Sequence, residues 1–141
     1  MGWSNNVNPN LENSVQIPET TLKNLASLIK NKFNLNRAFF IGPEDLICHR
    51  VGIMPGAWGG RAHIPFLAKE IDVLIVGESQ EWEAVEYVRD AAHIFKNKGM
   101  IIMGHARSEE PGMEYLVEWL KPILPDIKIS FIPSNDPFIP V

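Results

Sequence analysis

An imidazole and a carboxylate four residues apart, His105 and Glu109, follow directly on the apolar run Met100-Ile101-Ile102-Met103 and a glycine at 104. An apolar run of strand character that breaks at a glycine reads as the end of a β-strand, and Ser108 then stands where a helix N-cap belongs. His105 is therefore expected at a strand's carboxyl end, the edge of an open α/β sheet where loops carry polar groups over a rigid base. A neutral imidazole and a carboxylate brought together there suit a divalent metal ion such as zinc, manganese or iron. H-x-x-x-E also has a plainer reading: Glu109 and Glu110 complement the positive end of a helix dipole, at about 0.3–1 kcal/mol each, while His105 sits in a loop.

Other groups with chemistry are scattered. His63 follows the glycine-rich loop Pro55-Gly56-Ala57-Trp58-Gly59-Gly60 and is the best third ligand, although a histidine at the start of a helix is usually just solvated. Cys48 and His49 fall in a predicted strand, where such residues are packed or paired in place, and His93 reads as a surface residue. The glycine loop could bring backbone N–H groups to an anion at a helix N-terminus. It matches neither G-x-x-x-x-G-K-[ST] nor G-x-G-x-x-G, so a tight strand-to-helix turn is the simpler explanation.

The elements that must position these groups are legible from periodicity. Residues 1–16 are Asn-rich and lack an apolar period, which predicts an extended leader, with Trp3 as its one residue expected to be buried against something. A domain over 17–141 follows. From Pro18 the pattern turns helical, with Leu22, Leu25, Leu28, Ile29 and Phe33 as its stripe. Strands are expected at Arg37–Ile41, Ile47–Met54, Asp72–Val76 and Met100–Met103, and a short helix near Ile64–Lys69. A helix over Glu81–Lys96 buries Ala84, Val85, Val88, Ala91, Ala92 and Phe95, with Trp82 also favoured for the core. Another helix carries Met113, Leu116, Val117 and Leu120 and ends before Pro122 and Pro125. A final strand, Ile127–Ile132, precedes the tail Pro137-Phe138-Ile139-Pro140. Trp58 is expected to be exposed, and Trp119 to face a pocket or a subunit contact.

Strand and helix thus alternate, which predicts a single-domain α/β fold, mainly parallel in its sheet, with helices on both faces. The ends of three strands then bring the glycine loop, Glu78 and the His105/Glu109 pair to one crevice.

A chain of 141 residues with 45% hydrophobic and 21% charged residues fits one globular domain. A net charge of −4, with no massed Lys or Arg, argues against nucleic acid as a partner. No apolar run approaches the roughly 20 residues that cross a bilayer, so no membrane partner is expected. Cys48 is the only cysteine and no signal peptide is visible, which predicts a cytoplasmic protein without an intrachain disulfide.

VGIMPGAWGG, then DVLIVGESQEWEAVEYVRDA, then MIIMGHARSEEPGMEYLVEWLK, then a strand and DPF, form a succession that resembles the second half of the Nif-three-like family. The similarity runs from about Ile17 to Phe138. Members of that family are hexameric proteins with a dinuclear metal centre, some labelled GTP cyclohydrolase type 2. The resemblance implies that His105 and Glu109, in the element GH-x-x-x-E, are metal ligands, that the chemistry is hydrolytic, and that the chain is a homo-oligomer. Glu78, in the preceding G-E element, would be a group supporting the ligands or a proton acceptor. Many members carry paired histidines shortly after that glutamate, where this chain has Glu81-Trp82-Glu83. The family's other ligands, a His-His pair and an aspartate, come from a first half with no counterpart here. The expectation is a half-length protein that binds metal weakly alone and needs an N-terminal half as partner; the alternative is a non-catalytic interaction or assembly module.

Overall fold

The computed structural model describes residues 2–3, 6–94 and 97–139. Its centre is a parallel sheet of three strands, β3 (Ile47–Met54), β4 (Val73–Val76) and β5 (Gly99–Ile102). Two antiparallel strands flank them, β1 (Ser14–Thr21) on β3 and β2 (Phe39–Ile41) on β5, giving the order β1-β3-β4-β5-β2. β4 and β5 are adjacent and parallel, with Val73 opposite Gly99 and Val76 opposite Ile102. The crossover between them is a π-helical turn, Glu81–Val85, that runs into the α-helix Glu86–His93. Phe95 and Lys96, the expected last turn of that helix, lie outside the described residues.

Side-chain alternation along the strands builds two cores, because successive residues point to opposite faces. On one face Val73, Ile75, Ile101 and Met103 pack with Leu22, Leu25, Ala26 and Ile29 of α1 (Leu22–Lys32). On the other, Leu74, Val76 and Met100 pack with Leu67 of α2 (Gly60–Leu67) and with Ala84 and Val88 of the crossover, whose Glu86–His93 portion is α3. All four residues of β4 are buried, as a strand covered on both faces requires. α4 (His105–Leu120) stands apart: none of its residues is buried.

Several sequence expectations are corrected. The segment from Pro18 to Thr21 is strand rather than helix, and α1 starts at Leu22, with the Thr21 hydroxyl accepting from the Asn24 N–H as its cap. Proline at a first helical turn and proline at a strand irregularity are locally alike. Here the β1/β3 register shifts between Gln16 and Thr20, the stretch holding Pro18, where a missing N–H costs no ladder bond. Within the Asn-rich leader, Ser14 and Val15 belong to β1 and Val15 to the core, with Trp3 packed against the same cluster. Ile127–Ile132 is not a strand; it runs as irregular chain beside α4, with Ile127 and Ile132 exposed. Leu28 and Trp82 are exposed rather than buried, Trp82 at 77%. Pro140 of the tail lies outside the described residues. Among the described residues no helix is long and apolar enough to cross a membrane.

Candidate functional site

The carboxyl ends of β3, β4 and β5 deliver three segments to one edge: Pro55-Gly56, Gly77-Glu78 and Met103-Gly104-His105. Their close approach depends on two glycines. A Cβ at Gly77 would stand 2.5 Å from Ser108 Oγ and 2.6 Å from the Gly56 backbone, and one at Gly56, where φ is +75°, would stand 2.5 Å from Glu109 Oε1. A side chain at Gly77 would therefore push the segments apart, and one at Gly56 would displace the Glu109 carboxylate and strain a left-handed backbone.

α4 begins at His105, directly after Gly104, so Ser108 is inside the first turn and is not the expected cap. Its hydroxyl donates to the His105 carbonyl at 2.7 Å and accepts from the Gly56 N–H at 2.9 Å, which stitches the β3 loop to the helix. Sequence reading missed this role because the partner lies 52 residues away.

His105 and Glu109 occupy positions i and i+4 of this helix and share a face. His105 Nε2 lies 3.1 Å from Glu109 Oε2, and Nδ1 lies 3.4 Å from Glu78 Oε2. A doubly protonated ring donates to both carboxylates. A singly protonated ring can donate from Nδ1 to Glu78 and present the Nε2 lone pair beside Glu109. Two donors about 2.0–2.1 Å from one tetrahedral ion stand roughly 3.3 Å apart, so the observed spacing of Nε2 and Oε2 fits ligands of one ion. Glu78 then holds the opposite nitrogen, the arrangement that orients metal-binding histidines. The set is incomplete by itself: among the described residues no group of three or more His, Cys, Asp or Glu is placed to hold an ion.

The remaining sequence candidates lie elsewhere. His63 is fully buried, not solvated, and its Nδ1 is 3.4 Å from the Ser79 hydroxyl, while its Nε2 has no hydrogen-bond partner among the described residues. Burial pulls its pKa down, partly opposed by the charge of Glu83. It supports the loop carrying Glu78 and does not join the His105 pair. His49 Nδ1 pairs with the Ile17 carbonyl, and His93 is exposed. Burial, and then the nearby charge of Asp72, push the Cys48 thiol up to about 12, so it stays a thiol at neutral pH. Trp58 and Trp119 are exposed, and the Trp58 indole donates to the Pro55 carbonyl.

Two cavities meet at His105. One, of about 510 Å³, runs along α4 past Met113, Leu116 and Val117 and is roofed by Ile129 and Phe131. The other, of about 520 Å³, lies on the Glu78 side and is bounded by Arg37, Phe39, Asp136 and Phe138. Residues 129–138 wall both, held down mainly by Glu110. That carboxylate accepts from the Ser134 N–H and hydroxyl and from the Asn135 N–H, and pairs with Arg107 at 2.7 Å. Arg37 gave no signal in the sequence, because what distinguishes it is the residues the fold sets around it.

The Duf34/NIF3 (NGG1p interacting factor 3) family model matches residues 8–137. No curated protein matches the chain. Among solved structures, the Staphylococcus aureus hypothetical protein SA1388 is 22% identical, with 91% of this chain and 42% of that one aligned at a TM-score of 0.69. A Bacillus cereus protein related to NIF3 is 20% identical, over 91% of this chain and 35% of that one, at 0.68. The protein ybgI, of unknown function, is 22% identical, over 89% of this chain and 48% of that one, at 0.71. The chain thus spans less than half the length of each of these structures. A fold with a parallel three-strand centre and a carboxyl-edge Gly-His element, matched by a family model over nearly its whole length, places the chain in the Duf34/NIF3 family.

Proposed function

We propose that this chain supplies a histidine–glutamate pair, His105 and Glu109, to a divalent metal site, with Glu78 holding the histidine in its ligating orientation. The observation that carries the reading is the His105 ring set between two carboxylates, one at each nitrogen. A hydrogen-bonded surface histidine needs only one such partner. Catalytic zinc sites take three protein ligands and a water, so a complete site needs at least one further ligand, from another chain or another part of a longer protein. A bound ion would supply Lewis acidity for hydrolysis. In that setting Glu78, half exposed and beside the site, is placed to accept a proton.

Titration with zinc and with manganese by calorimetry tests the reading. Binding to the wild-type chain is expected to be weak and to disappear in His105→Ala and Glu109→Gln. Equal binding by all three would overturn it.

A second reading, assembly, is favoured by α4, which buries no residue and exposes Met113, Tyr115 and Trp119. The two readings are compatible, since association is one way for separate chains to complete a ligand set.

A further inference from the structure

The 520 Å³ cavity beside Glu78 contains an arginine whose hydrogen-bonding capacity is unused among the described residues. Arg37 has its guanidinium carbon 3.7 Å from the centre of the Phe138 ring and 5.9 Å from that of Phe39. Its only ionic neighbour among the described residues is Asp136, with Nε at 3.8 Å from Oδ2, too long for a hydrogen bond. Arg37 therefore makes no side-chain hydrogen bond among the described residues, although a guanidinium carries five donors. The side chain is 28% exposed, and its guanidinium packs on the Phe138 ring. Arg107, which also lines the cavity, is different: it is spent on Glu110 and the Phe33 carbonyl.

A guanidinium seated on a ring, with its fork unoccupied among the described residues, suits a bidentate oxyanion, since two parallel N–H donors match a phosphate or carboxylate edge. The carboxylates around the cavity are arranged consistently with this. Glu78 is turned to His105, and Asp136 lies on the Nε side of Arg37. Glu81 is an exposed acidic residue on the rim, which lowers affinity without occupying the fork. Phe39 and Phe138 are exposed and add apolar surface beside the arginine.

We propose that this cavity binds a small organic molecule bearing a phosphate or carboxylate group, with Arg37 as the anchor for the oxyanion and the molecule's body directed toward His105. The inference rests on the metal-site reading only for what happens at the His105 end; anchoring at Arg37 needs no metal.

The probe is phenyl phosphate, with benzoate and benzyl alcohol as comparators, titrated at low ionic strength in the presence of EDTA and followed by amide chemical shifts. Screening is weak under those conditions, so the pair is read at full strength. Phenyl phosphate or benzoate is expected to shift resonances of Arg37, Gly104 and Phe138, and the tighter of the two identifies the anion. Benzyl alcohol is expected to bind at least tenfold more weakly. Arg37→Gln should lose at least tenfold in affinity, and Arg37→Lys, which keeps the charge and loses the fork, should fall between. The anion titration is free of metal and is read separately from the zinc titration, so loss of zinc binding leaves the anion result standing, which separates this inference from the metal reading. Equal binding of benzyl alcohol and the anions, or unchanged affinity in a folded Arg37→Gln protein, would overturn it.

Discussion

At the scale of single residues, the site turns on how a ring with two nitrogens is shared. Glu78 and Glu109 approach His105 from opposite sides, and only one of those nitrogens can hold a metal while the other is held by the protein. Removing the supporting carboxylate should therefore weaken binding without abolishing it. Glu78→Gln is expected to reduce zinc affinity about 10- to 100-fold, the usual loss when a partner of a ligating histidine is changed. Zinc affinity equal to wild type would separate Glu78 from the site. The pair itself was legible in the sequence as two groups at one strand's carboxyl edge; that both stand on one face of α4, at i and i+4, was not, because Ser108 reads as a cap and the helix starts three residues earlier. His63 was not, because spacing says nothing about burial: the same histidine-after-glycine pattern serves a solvated helix start and a fully enclosed side chain.

At the scale of elements, the three central strands could be read almost to the residue, since a continuous β-branched or alternating run has few other uses. The segment 127–132 has the same alternation and forms no strand, because a ladder needs a second backbone and none of the sheet's strands lies beside it. It is held by side chains instead. Burial tends to raise the Glu110 pKa, but the Ser134 hydroxyl, the Asn135 N–H, Arg107 and the Ser134 N–H outweigh that and bring it below its ordinary 4.5. A carboxylate lowered in the folded state stabilises the fold above the unfolded value and loses that contribution as pH falls through the folded one. The Ser134 and Asn135 amide resonances should then titrate together with a midpoint below 4.5, and Glu110→Gln should remove the titration. A midpoint at or above 4.5 would show that the clamp is not what holds the segment.

At the scale of the whole molecule, α4 and the segment beside it leave Met113, Tyr115, Trp119, Ile123, Ile127 and Ile132 exposed. Large apolar side chains left in water favour association, so the chain is expected to self-associate at micromolar concentration. Sedimentation equilibrium should show mass above the monomer, and Trp119→Lys should shift it toward monomer at a stability cost within about 0.5 kcal/mol, since the residue packs little in the single chain. A wild-type monomer at every concentration would refute this. The sheet itself is closed to such growth. Asn8 donates its backbone N–H to the Ser14 carbonyl, Asn6 reaches the Gln16 carbonyl, and Val7 bridges Val15, so the Asn-rich leader covers the first half of the outer β1 edge. Pro18 offers no donor where that cover stops, and at the opposite edge β2 is only three residues long. Exposed strand edges template fibrils; here one is sheathed and interrupted and the other is too short to nucleate a ladder. A protein that exposes this much apolar surface on a helix can therefore crowd in a cell without seeding amyloid from its sheet.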